Sequence, residues 1–248
     1  MRHRFWSKNP YKQKIREKIW RLMENKGIAR FPGAFGRIPN FVGAEKAALI
    51  ASELEIFRKA KVVKFNPDSP QRKLREIALK QGKVIYMAVP RLTDEKCFVM
   101  IDPDSIGDRW KESSTIKGAF RLGKKVHPRE MHPIDLMVAG SVAVNLSGQR
   151  IGKGGGFSDL EFAILRTFNL IDEDTPIITT VHQIQILDEE FPWEKHDIPL
   201  DFIVTPERTF ETHSTLPRPK GIFWDLLSDE QIESIPILKQ LKYERHKI

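Results

Sequence analysis

The chain has 248 residues, of which 40% are hydrophobic, and this length suits one large α/β domain or two small ones. No apolar run approaches the length of about 20 residues that a membrane helix requires, and the N-terminal stretch MRHRFWSKNPYKQK lacks the apolar segment of a signal peptide. The single cysteine, Cys97, excludes an internal disulfide and a cysteine-built zinc site. The sequence therefore predicts a soluble cytoplasmic protein.

The net charge of +8 is concentrated at the N-terminus. Residues 1–37 contain 11 Lys or Arg and 2 Glu, which leaves 30 basic and 31 acidic residues in the rest of the chain. A basic segment of this kind suits nucleic acid, anionic lipid or a polyphosphate ligand. A solvated helix face explains it equally well on composition alone.

Helices and strands alternate along the predicted chain. Apolar residues recur at helical spacing in four segments, namely residues 9–27, 44–60, 71–82 and 159–171. Apolar, β-branched runs predict six strands, within residues 61–65, 83–91, 94–106, 133–146, 175–187 and 199–212. The alternation predicts βαβ units around a mostly parallel sheet. Residues 107–130 are predicted to be rich in loops, and Ser228 with Gln231 predicts a capping box at the start of a C-terminal helix.

The segment GQRIGKGGGFSD, residues 148–159, lies between a predicted strand and a predicted helix. Glycines there let the backbone approach a ligand closely and direct N–H groups at it. The following helix N-terminus adds positive potential, so the arrangement is typical of an anion-binding loop. Its spacing fits neither a Walker loop nor the dinucleotide fingerprint. A flexible surface turn is the alternative for this loop taken alone.

The same loop carries a resemblance to a known family. RIGKGGGFSD resembles the signature of the 5-formyltetrahydrofolate cyclo-ligase family, Arg-x-Gly-x-Gly-x-Gly-Tyr-Tyr-Asp. The matching residues are Arg150, Gly152, Gly154, Gly156 and Asp159, and Phe157 replaces one tyrosine. Further matches in family order are KQKIR from Lys12 to Arg16, AVPR ending at Arg91, and the later set Gln185, Pro192, Asp197, Asp201 and Thr205.

The resemblance implies a fold and an activity. The fold is a three-layer α/β sandwich with a mostly parallel sheet, similar to that of sugar isomerases and CoA transferases. The chain is interpreted as one domain over residues 1–248, with a basic N-terminal helix and a C-terminal extension from about residue 207. In the family's reaction, the formyl oxygen of 5-formyltetrahydrofolate attacks the γ-phosphate of ATP, a second folate nitrogen captures the activated carbon, and phosphate leaves to give 5,10-methenyltetrahydrofolate.

Residue roles follow from the resemblance. It implies that Arg150 and Lys153 are catalytic and face the transferring phosphoryl group. The implied ATP-binding residues are Lys12, Arg16, Arg150, Gly152, Lys153, Gly154, Gly155, Gly156, Phe157, Ser158 and Asp159. The implied ligands of Mg²⁺ are Asp159 and Asp197, since this ion prefers carboxylate oxygens. The expected partners are therefore ATP and a formylated folate or related pterin, without a membrane or nucleic acid.

Other segments depart from the family pattern. Ser158 stands where the second signature tyrosine helps to form the folate pocket, and only Asp68 and Gln71 lie near the expected position of a family glutamate. DLMVAGSVAV and RIGKGGGFSDLE resemble the synthetase-like domain of the larger methenyltetrahydrofolate synthetase domain-containing proteins. The alternatives are thus an ATP-binding homologue that has lost catalysis or acts on another substrate, and, with less support, an RNA-binding accessory protein that uses the basic N-terminus.

Overall fold

Eight strands form one mixed β-sheet in the computed structural model, which describes residues 9–245 of the chain. The strands of this sheet and of a separate two-stranded sheet are β1 Val62–Phe65, β2 Val84–Ala88, β3 Phe98–Ile101, β4 Lys124–Val126, β5 Leu136–Val138, β6 Ala143–Val144, β7 Arg150–Ile151, β8 Ile177–Thr180, β9 Phe202–Val204 and β10 Thr209–Glu211. The order in the large sheet is β10-β9-β8-β5-β1-β2-β3-β4, and β6 pairs with β7 separately. The five strands from β9 to β2 are mutually parallel, and the strands at both edges are antiparallel.

Helices cover both faces of this sheet. They are α1 Pro10–Asn25, α2 Ala44–Glu53, α3 Glu55–Lys59, α4 Arg72–Lys80, α5 Pro103–Ile106, α6 Trp110–Ser113, α7 Ile116–Leu122, α8 Phe157–Thr167, α9 Asp229–Ser234 and α10 Pro236–Arg245. One core cluster joins α2, α3, α4 and α7 to one face of the sheet. A second cluster joins α8, α9 and α10 to the other face. The prediction of a three-layer α/β fold with a mostly parallel sheet is therefore confirmed.

The alternation of β1 shows how the sheet separates these two layers. Val63 and Phe65 belong to the core cluster with α2 and α4, whereas the intervening Lys64 bonds to Glu161 of α8 on the opposite face. Side chains along a strand point alternately to its two faces, which explains the split. A lysine therefore lies fully buried in the middle of a parallel sheet.

A third core cluster fixes helix α1 beside the small β6–β7 pair. Ile15 and Ile19 of α1 pack with Phe41, Ala47 and Ile151 in this cluster. Asn9 caps the helix, because its side chain accepts hydrogen bonds from two backbone N–H groups of the first turn. The predicted basic helix is thus present, and its position next to β7 brings it to the glycine loop. The basic residues Arg2, Arg4 and Lys8 lie outside the described residues.

Several predicted elements differ from the structure. The prediction of a loop-rich segment over residues 107–130 is wrong: α6, α7 and β4 lie there, each too short to show a periodic pattern. The helix predicted over 44–60 is divided at Leu54, whose backbone is extended. The apolar run 133–146 supplies β5 and then β6 of the second sheet, and the segment 199–212 forms two antiparallel strands. The capping box of Ser228 and Gln231 is confirmed.

Candidate active site

A cavity of about 390 Å³ opens at the carboxyl ends of the central parallel strands. Asn66 follows β1, Val89 follows β2 and Gly140 follows β5, and all three line the cavity. Ligands of open α/β sheets bind at this edge, because the connections there diverge and leave a crevice. Every residue that the sequence predicts for ATP, Mg²⁺ or catalysis lines this one cavity.

The glycine loop forms one wall of the cavity, between β7 and α8. Gly154 has φ 91° and Gly156 has φ 74°, and both values are in the left-handed region that favours glycine. Gly156 is the N-cap of α8, and no side chain caps this helix start. Gly156 and the first-turn residues 157–159 line the cavity, so the positive end of the α8 dipole borders it, as anion binding at a helix start requires.

Replacing Gly154 with alanine tests whether this loop conformation matters. The new Cβ would lie 3.1 Å from Cζ of Arg16, and a non-glycine residue at this φ costs about 1–2 kcal/mol. We expect a loss of stability of that size in urea unfolding, together with weaker binding of Mg²⁺-ATP in calorimetry. Gly82→Ala is the matched control, because Gly82 also has a positive φ of 77° but open space around its Cβ position. Equal ATP affinity in both variants would contradict a role for the loop.

Arg150 lies beneath the loop and is only 6% exposed. Its Nη1 donates to the carbonyl oxygen of Gly140 at 2.8 Å, and its Nη2 lies 2.5 Å from Oδ1 of Asp159. Its Nε–H has no hydrogen-bond partner among residues 9–245. Arg150 thus ties the end of β5 to the first turn of α8 and brings positive charge to the cavity wall.

Helix α1 inserts two cations into the same site. The ammonium of Lys12 is buried and lies 2.5 Å from Oδ2 of Asp197 and 2.9 Å from Oε2 of Glu194. The Nε of Arg16, one helical turn later, donates to the carbonyl oxygen of Gly152 at 2.7 Å. The two residues lie on one face of the helix, as their spacing predicts. Lys12 contacts carboxylates and Arg16 contacts the glycine loop, so α1 is bonded to both walls of the cavity.

The two predicted metal ligands influence each other electrostatically. Burial raises the pKa of Asp197, and the nearby charge of Asp159 raises this pKa further, against the opposing effect of Lys12. Burial lowers the pKa of His196, which lies beside Asp197, so this imidazole is neutral at physiological pH. Ligand atoms of Glu194, His196 and Asp197 lie within 4.8 Å of one another. The cavity therefore concentrates acidic groups opposite its cations.

Lys153 and Ser158 occupy the mouth and the floor of the cavity. The ammonium of Lys153 is about half exposed and lies 3.3 Å from Oδ1 of Asp68. The hydroxyl of Ser158 donates to Oδ1 of Asn66 at 3.3 Å. Gln71, the other residue at the expected glutamate position, does not line the cavity, and its Oε1 accepts from the backbone N–H of Asn66 instead. Asp68 is thus the acidic residue that the β1–α4 connection supplies to the site.

The motifs miss several cavity residues. Asn66, Glu161 and Glu194 line the cavity, but none of them belongs to a motif that predicts a site residue. The sequence does contain a feature that marks the residues at the floor of the cavity. Glu161 interrupts the apolar helix segment DLEFAILR, and its partner Lys64 interrupts the apolar strand segment KVVKF. Burying a charged residue is energetically unfavourable unless it is paired, so each of these residues predicts a partner of opposite charge elsewhere in the chain.

The fold and the cavity define an α/β protein with a glycine-rich loop beside a cavity at the carboxyl ends of parallel strands. The chain belongs to the 5-formyltetrahydrofolate cyclo-ligase family, whose model matches residues 8–206. The predicted resemblance is therefore confirmed. The family match ends at residue 206, and the C-terminal extension from about residue 207 stays a prediction.

The similar proteins include larger ones. The methenyltetrahydrofolate synthase domain-containing protein of Mus musculus is 39% identical over 239 residues, which are 95% of this chain and 64% of that protein. The Homo sapiens protein of the same name is 37% identical over 93% of this chain and 61% of its own length. The chain thus spans less than two thirds of these relatives. The 5-formyltetrahydrofolate cyclo-ligase of Escherichia coli is 28% identical over 59% of this chain and 76% of the enzyme.

One solved structure supports the fold. The NMR structure of Aquifex aeolicus 5,10-methenyltetrahydrofolate synthetase aligns with a TM-score of 0.52 at 20% identity, covering 83% of this chain and 95% of that one. Within residues 9–245, no helix combines the length and apolar character needed to span a membrane.

Proposed function

We propose that this protein is an ATP-dependent cyclo-ligase that converts 5-formyltetrahydrofolate, or a related formylated pterin, to the 5,10-methenyl product with release of ADP and phosphate. The observation that carries the proposal is the convergence of α1, the glycine loop and two carboxylates on one cavity. The reaction needs no protein nucleophile. Catalysis consists of positioning two substrates and neutralising phosphate charge, which is what this set of residues provides.

The triphosphate would bind between α1 and the start of α8. Backbone N–H groups at Gly156 and beyond, with the positive end of the helix dipole, favour phosphate oxygens. Arg16 and Lys153 lie on the loop side of the cavity, and Arg150 lies under it. In this proposal, Lys153 exchanges its contact with Asp68 for the γ-phosphoryl group during transfer, since its side chain is about half exposed.

The carboxylates fit a bound Mg²⁺ ion. Oδ2 of Asp197 accepts hydrogen bonds from the ammonium of Lys12 and the backbone N–H of Glu194. Oδ1 of Asp159 accepts a hydrogen bond from Arg150. The remaining oxygen of each carboxylate has no hydrogen bond to another described residue, and each residue lines the cavity. Two such oxygens suit a hard cation that prefers carboxylate ligands and keeps several waters. When bound, the ion would supply charge neutralisation at the triphosphate.

The proposed reaction has two steps, phosphoryl transfer and ring closure. The formyl oxygen attacks the γ-phosphorus and ADP leaves, so the formyl carbon becomes an activated phosphate ester. The second folate nitrogen attacks this carbon and loses its proton, and the carbon–oxygen bond to phosphate breaks. The released phosphate takes that proton. Arg150 and Lys153 would stabilise the charge that develops on the transferring group.

A specific observation favours a second candidate, an ATP-binding homologue with altered or lost activity. Ser158 stands at the position of a pocket tyrosine and bonds to Asn66, so the floor of the cavity is polar. We therefore expect wild-type kcat/KM on ordinary 5-formyltetrahydrofolate to lie well under about 10⁴ M⁻¹s⁻¹. Ser158→Tyr is expected to raise this activity if the rest of the pocket accepts the folate ring.

The test follows methenyltetrahydrofolate by its absorbance in wild type and Ser158→Tyr with ATP and Mg²⁺, beside calorimetry of Mg²⁺-ATP binding. Robust wild-type turnover would show that the serine matters little and that the plain family activity is right. ATP binding without turnover in either protein favours the second candidate. Deleting residues 1–17 should abolish ATP binding, whereas retained ATP affinity with lost RNA binding would favour an RNA-binding protein.

A further inference from the structure

The floor of the cavity carries a buried ion pair. Lys64 of β1 is fully buried, and its ammonium is hydrogen-bonded to Oε2 of Glu161, which is itself 5% exposed. The side-chain N–H of Asn66 donates to the same oxygen at 3.0 Å. Two donors thus hold one oxygen of Glu161 in place. Because Lys64 balances its charge, the pair is neutral as a unit, and its orientation is fixed from β1.

The polar atoms left for a ligand at this floor are acceptors. The other oxygen of Glu161, Oε1, accepts no hydrogen bond from the described residues, and Glu161 lines the cavity. The hydroxyl proton of Ser158 is directed at Oδ1 of Asn66, which leaves the Ser158 oxygen as an acceptor. Oδ1 of Asn66 is also occupied by the N–H of Gly140 at 3.0 Å. A complementary ligand group must therefore present hydrogen-bond donors, such as the N–H groups of a heterocycle.

We infer that Glu161 is a ligand-binding carboxylate that recognises the N–H donors of a neutral heterocycle at the floor of the cavity. An unpaired ligand cation is disfavoured there because Lys64 already neutralises the carboxylate. Pro67, Pro90 and Phe157 also line the cavity, and residues with rings suit packing against a flat heterocycle. The identity of the ring rests on the proposed function: in a pterin, the 2-amino group and the adjacent ring N–H supply such donors.

The first experiment changes the ligand and leaves the protein intact. Titration of the wild-type chain with pterin and with its 2-desamino analogue compares one donor group directly. We expect pterin to bind about 10- to 150-fold more tightly, the range for a hydrogen bond to a charged group. Equal affinity of the two rings, or no binding of pterin at its solubility limit, would overturn the inference.

Glu161→Gln then assigns the preference to this side chain. Lys64 and Asn66 present only N–H donors to residue 161, so the glutamine oxygen must face them. Its NH₂ group then faces the cavity, and an acceptor becomes a donor at nearly constant volume. We expect the preference for pterin over the 2-desamino analogue to vanish. Unchanged preference in the folded variant would refute the inference, and circular dichroism establishes folding. If the variant does not fold, the wild-type ligand comparison decides.

These results are separable from the proposed function. A chain that prefers pterin but does not bind Mg²⁺-ATP would retain the Glu161 site and lose the cyclo-ligase proposal. A chain that binds Mg²⁺-ATP and turns over a folate, yet shows no preference between the two rings, would retain the proposed function and exclude Glu161 as the recognising group.

Discussion

Arg150→Ala is expected to weaken binding of Mg²⁺-ATP by about 10- to 150-fold, the loss associated with charge-assisted hydrogen bonds of about 1.5–3 kcal/mol. The same change should lower the free energy of unfolding by about 3–5 kcal/mol, the range for breaking a buried ion pair. It leaves Asp159 unpaired close to Asp197, and it removes the bond to Gly140 that ties β5 to the glycine loop. Calorimetry and urea unfolding measure the two losses.

A matched control separates affinity from stability. Arg218 is also a largely buried arginine, and its Nη2 lies 2.7 Å from both oxygens of Asp201 while its Nη1 bonds to the carbonyl of Thr175. It does not line the cavity. Arg218→Ala is therefore expected to destabilise the fold by a similar amount with little effect on ATP affinity. If Arg218→Ala and Arg150→Ala weaken ATP binding equally, the effect of Arg150 is only structural.

Local patterns predicted the elements that carry the site. Helix α8 was predicted over residues 159–171 and spans Phe157–Thr167, because its apolar periodicity and the preceding glycines mark it without ambiguity. The anion-binding character of its N-terminus followed from glycine conformation and the helix dipole, both of which are local properties. The spacing of Lys12 and Arg16 likewise predicted that both lie on one face of α1. Elements shorter than one or two turns, such as α6, escaped prediction.

Partners could not be predicted in the same way. Lys12 contacts Asp197 across 185 residues of sequence, and Lys64 contacts Glu161 across 97. A sequence pattern gives the residue type and the face on which it lies, but pairing depends on which elements the tertiary fold brings together. The family resemblance assigns Lys12 and Arg16 of α1 to ATP binding, yet in the structure Lys12 is bonded to two carboxylates. Its role at the site therefore includes holding the acidic segment 194–197 in position.

Because Lys12 holds this acidic segment, Lys12→Met is expected to lower both the stability of the fold and the affinity for ATP. The substitution keeps an unbranched side chain but removes the ammonium between Glu194 and Asp197. We therefore expect the free energy of unfolding to fall by about 3 kcal/mol near pH 8. ATP affinity should fall at least tenfold, since α1 loses its bond to the far wall of the cavity. Lys18→Met is the matched control on the same helix: Lys18 is largely exposed, its ion pair with Glu189 is at the surface, and such pairs contribute at most about 1 kcal/mol.

The loss in Lys12→Met should also depend on pH, with a sign set by Asp197. Burial and Asp159 already raise the pKa of Asp197 in the wild type, and removing the ammonium raises this pKa further. A carboxyl group whose pKa is higher in the folded protein than in the unfolded protein stabilises the fold at a pH below the unfolded-state pKa. This stabilisation is lost as the pH rises through the folded-state pKa. The loss in free energy of unfolding of Lys12→Met relative to wild type should therefore be larger near pH 8 than near pH 5. Adding Asp197→Asn to the variant removes the titration of residue 197. If the loss in free energy of unfolding still grows with pH in the double variant, another group causes the pH dependence.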